Sequence, residues 1–138
     1  MDKSPTIWGT PSPVFFDGLT QLEFFKRRFS SIEVELAVEE GPSHINLAKY
    51  PDDHFDLIYV DGDHTYDGVK LDAELSVKKV KRGGLIIFND YILFCNTQGE
   101  AYGVIPVVNE LVIRENCQVI GFALQRHMFC DIAIQRPL

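Results

Sequence analysis

Asp61, Asp63 and His64 fall within four positions of one another in the stretch LIYVDGDHTYDGV (57–69), and Asn89 and Asp90 follow a second apolar run, LIIF (85–88). Carboxylates and a carboxamide are hard oxygen donors of the kind that hold Mg²⁺ or a similar ion. A carboxylate or an imidazole can also take a proton as a general base. By residue type, Asp61, Asn89 and Asp90 form a candidate oxygen-ligand set, with Asp63 and His64 beside it as groups that move a proton. The competing reading is structural: Asp and Asn fit turns and helix caps, and Asp63 or Thr65 would cap a following helix. His44, His54 and His127 stand isolated and read as surface or turn residues.

The elements needed to position this group can be read from the pattern. Leu57 to Val60 and Leu85 to Phe88 are short, wholly apolar runs, expected at the centre of a parallel sheet covered by helices on both faces. Between them, Asp67 to Lys81 carries Val69, Ala73, Val77 and Val80 at helical spacing, ends in basic residues and stops at Gly83-Gly84. That is a βαβ unit. In open α/β sheets ligands collect outside the carboxyl ends of the strands, where both polar clusters lie.

Upstream, Leu22, Phe25 and Phe29 predict a helix from Asp17 to Phe29. The alternation of Ile32, Val34, Leu36 and Val38 with Glu33 and Glu35 predicts a strand with one wet face. A short helix is expected through Ile45 and Leu47. Gly103 and Pro106 open another, with Val104, Val107, Val108, Leu111 and Val112 as its apolar stripe. Val119 to Leu124 and Met128 to Gln135 are so close in sequence that they must form an antiparallel hairpin. Residues 1–13, with Pro5, Gly9, Pro11 and Pro13, read as an irregular lead-in to one α/β domain over 14–138.

Composition narrows the classes. At 138 residues, 46% hydrophobic and 24% charged, the chain is sized for one globular domain, and no apolar run approaches the roughly 18 residues that cross a bilayer. A net charge of −7 opposes nucleic-acid binding. The one basic cluster, KKVKR (78–82), lies where a helix should end and cations are favoured. Cys95, Cys117 and Cys130 are odd in number and set among apolar residues, so reduced structural thiols and a cytoplasmic location are the expectation. A P-loop GxxxxGK[ST] and a dinucleotide GxGxxG are both absent.

The run FDLIYVDGDHTYDGVKLDAELSVKKVKRGGLIIFNDY, followed by GVIPVVNEL, resembles the C-terminal half of class I S-adenosylmethionine-dependent methyltransferases. The likeness is to the small-molecule O-methyltransferase branch typified by macrocin-type sugar methyltransferases and by relatives with an IDGDHSYEGV block. It covers Phe55 to Leu111 well, Ile32 to Asp53 moderately and the lead-in hardly at all. The resemblance implies a Rossmann-like sheet, mostly parallel with a terminal antiparallel hairpin. It implies Asp61 and Asp90 as ligands of Mg²⁺, with Asn89 in place of an acid or histidine. Asp63, or in second place His64, would be the base that deprotonates a small-molecule hydroxyl, and Tyr66 and Tyr91 would line the cofactor pocket.

The departures concern the cofactor. The family's glycine-rich E-x-G-x-x-x-G turn and the acid that grips the ribose have no counterpart in the 31 residues before Ile32. Pro42 in EEGPS stands where the next cofactor contact is expected, and proline offers no N–H to adenine. The expectation is therefore a truncated methyltransferase fold of about five strands, more a relic than an active enzyme. Ile32 to Val38 would pair with LIYV, Val14 to Phe16 would add a short strand there, or a second copy of the chain would cover that edge as a homodimer. A non-catalytic module that keeps the crevice for a metal or small ligand, or for oligomerisation, is the alternative. LIYVDGDHT also matches the hhhhDxDxT signature of haloacid-dehalogenase phosphatases. Those need a later acidic pair much further away than the 25 residues between Asp63 and Asn89.

Overall fold

The computed structural model describes residues 6–7, 9–96, 98–126 and 129–138. They divide into two compact units, residues 1–38 and 39–138. His127 and Met128, assigned above to the hairpin, lie outside the described residues, as do residues 1–5 and Trp8 of the lead-in.

In the first unit, β1 (Thr6–Ile7) and β2 (Thr10–Pro11) pair antiparallel, followed by α1 (Ser12–Phe15) and α2 (Gln21–Phe29). The helix expected from Asp17 starts four residues later. Asp17 and Gly18 both adopt positive φ, at 52° and 75°, and break the chain there. Thr20 then caps α2: its hydroxyl accepts the Glu23 N–H at 3.2 Å while the Glu23 carboxylate accepts the Thr20 N–H at 2.8 Å. Phe16 meets Phe15 and Phe24 edge-on, with centroids 5.3 and 5.4 Å away. No described residue of this unit is buried.

Ile32 to Val38 is not a strand. Its alternation is genuine, but Ile32, Val34 and Leu36 are about half exposed or more. Period-2 patterning states which face would be buried, whereas a strand also needs a neighbour for its N–H and C=O groups. Among the described residues the main sheet has four strands, and Ile32 to Val38 does not supply the expected fifth.

The second unit contains α3 (Ser43–Ala48), β3 (Phe55–Val60), α4 (Tyr66–Lys79), β4 (Val80–Phe88), β5 (Phe94–Cys95), β6 (Glu100–Ala101), α5 (Val104–Glu115), β7 (Gln118–Leu124) and β8 (Cys130–Gln135). The main sheet runs β3-β4-β8-β7. β3 and β4 are parallel, with Leu57 opposite Leu85 and Val60 opposite Phe88, and α4 crosses between them. β8 is antiparallel to both β4 and β7, so the hairpin folds back with its second strand inward. α4 ends at Lys79 rather than Lys81, because Val80 is already extended at φ −74°, ψ 141°. The KRGG segment after it shifts the ladder: Phe55 faces Val80, yet Leu57 faces Leu85. Gly84 is required here, since a Cβ would lie 2.9 Å from the Asp56 carbonyl oxygen.

The core lies on one face of the sheet. Ile86, Phe88, Ile132 and Ile134 pack against Val69, Ala73 and Val77 of α4 and Val104, Val107, Val108 and Leu111 of α5. On the alternate face, Leu57 and Tyr59 are 48% and 47% exposed. The expectation of a sheet covered on both faces is therefore corrected for β3. Among the described residues β3 pairs with β4 alone, leaving it an edge strand whose apolar run is half wet. No helix among the described residues is long and apolar enough to cross a membrane. Among the described residues Cys95, Cys117 and Cys130 form no disulfide, and burial pushes the Cys117 and Cys130 thiols up.

Candidate functional site

β3 and β4 end side by side and deliver Asp61 and Asn89-Asp90 to one edge of the sheet. The loop after β3 must turn sharply into α4, and its own side chains do so. The Asp63 carboxylate accepts the Thr65 N–H at 2.8 Å, and the Thr65 hydroxyl accepts the Gly68 N–H at 3.2 Å. Gly68 leaves the room: a Cβ there would lie 2.5 Å from the Asp63 carboxyl carbon. The backbone N–H of Thr65 holds the Asp63 carboxyl below the usual range. Asp63 thus holds the turn, and the Thr65 N–H, by favouring the charged carboxylate, makes it a weaker base.

His64 is placed differently. Its Nε2 is buried, has no hydrogen-bond partner among the described residues, and lies 3.8 Å from both Asp61 Oδ1 and Asp90 Oδ2. These separations exceed a hydrogen bond, a spacing that often tightens when a catalytic site is filled. The Tyr102 ring lies flat on the imidazole, with centroids 4.6 Å apart and planes 11° from parallel. The His64 carbonyl accepts the Gly103 N–H at 2.8 Å, tying the start of α5 to this loop. That contact needs glycine, since a Cβ on residue 103 would sit 2.2 Å from the Tyr66 Cα.

Asp90 adopts the left-handed conformation at φ 52°, which Asp tolerates better than most residues and which marks a place where the backbone is bent to purpose. Burial first, then the charges of Asp61 and Asp131, push its carboxyl up, while His64 pulls it down. Asp131, at the start of β8, is the residue that sequence reasoning missed. It is buried and accepts from Tyr59 Oη at 2.8 Å, Gln125 Nε2 at 3.1 Å, Asn89 Nδ2 at 3.2 Å and the Asp90 N–H at 3.4 Å. The signal was an aspartate inside an alternating strand, CDIAIQ, where Asp is depleted. Tyr102 carried no comparable signal.

The structure therefore brings Asp61, His64 and Asp90 together, and turns Asn89 toward Tyr59 and Asp131. Among the described residues no three His, Cys, Asp or Glu side chains are arranged to hold a metal ion. Asp61, Asn89 and Asp90 are the residues that would hold such an ion, and no step below is routed through a metal. Tyr66 and Tyr91 are engaged by α5: their hydroxyls donate to Glu110 Oε2 and Asn109 Oδ1, each at 2.7 Å. Val60, Gly62, Asp63, Val69, Asn89 and Val104, among others, line a small cleft beside His64.

A four-stranded mixed sheet with helices packed on one face, ending in a polar cluster at the carboxyl edge of two parallel strands, defines an α/β protein of the methyltransferase type. The chain belongs to the methyltransferase domain family, whose pattern matches residues 14–91. It is similar to protein R132 of Acanthamoeba polyphaga mimivirus, itself uncharacterized, at 39% identity over 57 residues, which are 41% of this chain and 24% of that one. Its fold is similar to a Klebsiella pneumoniae protein assigned to the O-methyltransferases, with TM-score 0.61 and 13% identity over 85% of this chain and 57% of that one. It is also similar to an O-methyltransferase family protein from Burkholderia thailandensis, with TM-score 0.56 and 12% identity over 84% of this chain and 41% of that one. The chain thus spans less than two thirds of the length of each of these proteins.

Proposed function

We propose that this chain carries the acceptor end of an S-adenosylmethionine-dependent O-methyltransferase site and does not transfer methyl groups on its own. The observation that carries this reading is the buried, unpartnered Nε2 of His64 between the carboxylates of Asp61 and Asp90. An imidazole so placed accepts a proton from the hydroxyl of a small acceptor, and two flanking carboxylates stabilise the imidazolium that results. His64, rather than Asp63, takes the part of the base, because the Asp63 carboxylate is already bonded to the Thr65 N–H.

The same reading assigns this chain little affinity for the cofactor. The absent glycine-rich turn and Pro42 at a cofactor-contacting place both support it. Isothermal titration with S-adenosylmethionine and S-adenosylhomocysteine, each with and without Mg²⁺, is the test. The expected result is no micromolar binding under either condition. Micromolar binding would mean that this chain builds a cofactor site by other residues, and would overturn the proposal that it is inactive alone.

A further inference from the structure

The loop that follows Asp90 returns to the site. β5 and β6 pair antiparallel, Phe94 opposite Ala101 and Cys95 opposite Glu100, so the segment closes on itself as a small strap. Its last residue, Tyr102, is held at three points. Its N–H donates to the Leu93 carbonyl at 2.9 Å, its hydroxyl donates to Gln98 Oε1 at 2.7 Å, and the residue is buried, 7% exposed. Gly103, the next residue, donates its N–H to the His64 carbonyl. The strap therefore fixes the backbone of His64 and one face of its ring from consecutive positions.

A histidine ring set between two carboxylates has no reason to stop at equal distances from both unless something else holds it. Each carboxylate is 3.8 Å away, too far for the short charge-assisted bond that either would form with a freely turning imidazole. Stacking against a buried phenol ring supplies that restraint, since flat ring pairs resist rotation out of plane. Burial and the neighbouring Cys95 push the Tyr102 phenol up, so it stays protonated and adds no charge beside the imidazole.

We propose that Tyr102 is the positioning residue of this site: by lying on the His64 ring it aims Nε2 at the gap between Asp61 and Asp90 and seals that atom from water. The inference rests on the reading of His64 as the proton acceptor, and deepens it by naming what orients the base and what must move before an acceptor reaches it. Tyr102 touches the base and not the reacting atoms.

The test is carbethoxylation by diethyl pyrocarbonate, followed residue by residue by mass spectrometry, in the whole chain and in Tyr102→Phe and Tyr102→Leu. His54, which is exposed, serves as the internal standard. In the wild type His64 should react about tenfold more slowly than His54, because reaction needs local opening. Tyr102→Phe keeps the ring and should stay slow, whereas Tyr102→Leu should bring His64 close to the rate of His54. The ¹⁵N spectrum of His64 adds a readout that bulk packing would not move: one tautomer in the wild type and in Tyr102→Phe, and an averaged signal in Tyr102→Leu. Fast labelling of wild-type His64 would overturn the proposal even if the leucine variant failed to fold. Unchanged labelling and tautomer in a folded Tyr102→Leu would overturn it too. Neither readout depends on cofactor binding, so a failure here is distinct from a failure of the methyltransferase reading.

Discussion

Two helices of this chain begin in the same way and end with different fates. α2 in the first unit and α4 in the second are both capped by a threonine whose hydroxyl accepts a backbone N–H at 3.2 Å. α2 even completes the reciprocal capping box, which α4 lacks. Yet α2 buries no residue, while α4 buries Val69, Ala73 and Val77 beneath a sheet and supports the His64 loop at its first turn. Local chemistry is enough to start a helix, but a helix holds a site in place only when its apolar face finds a partner.

The largest expected difference lies in the cores. Phe88, 1% exposed on β4, should lose about 3–5 kcal/mol of stability on change to Ala. Phe25 of α2, 37% exposed, should lose no more than about 0.5 kcal/mol, with urea midpoints as the measure. Equal losses would mean that the first unit contributes to the same cooperative transition. Gly103→Ala follows, at about 1–3 kcal/mol, because its Cβ meets the backbone of Tyr66 and not a yielding side chain.

The caps sharpen the comparison directly. Thr65→Ala should lower global stability by about 1 kcal/mol. Thr20→Ala should speed amide exchange within α2 and leave the main unfolding midpoint unchanged. A common shift for both would break the distinction drawn here.

The smallest effect is one of pH. Asp90 has its carboxyl raised in the folded chain, so the stability linked to its proton is full below the unfolded-state value and lost as pH rises through the folded one. Asp90→Asn should therefore raise the melting temperature at pH 7, and the gain should fade below about pH 4. Asp63 has the opposite sign: its stabilising contribution is present at neutral pH and declines as pH falls through its depressed value. A gain for Asp90→Asn that is independent of pH would remove burial and charge as its cause.

Much of the second unit was legible in the residues. Apolar runs bounded by polar clusters placed β3 and β4, and the lysine-rich helix between them made the βαβ unit. The closing hairpin followed from the short distance between its strands. Ile32 to Val38 was misread because alternation reports a face and is silent on whether a neighbour exists. At the site, Asp61, His64 and Asp90 were visible because each follows an apolar run or sits beside one. Tyr102 and Asp131 were not: Tyr102 meets His64 across a sequence separation of 38, and Asp131 meets Tyr59 across one of 72, distances at which no local motif speaks. Asp63 was visible on two grounds at once, as an acid after a strand and as a turn residue, and the structure shows it accepting the Thr65 N–H of that turn.

The carboxylate under Asp90 comes from β8, the last strand of the sheet, and it binds Tyr59 from the first. During synthesis the polar edge of β3 emerges long before the residue that braces it. A pairing of such long range forms late, once the hairpin has closed over β4. The geometry of the candidate site is thus also a proofreading mark on folding: only a chain whose final strand has docked inward can present Asn89 and Asp90 in the arrangement described.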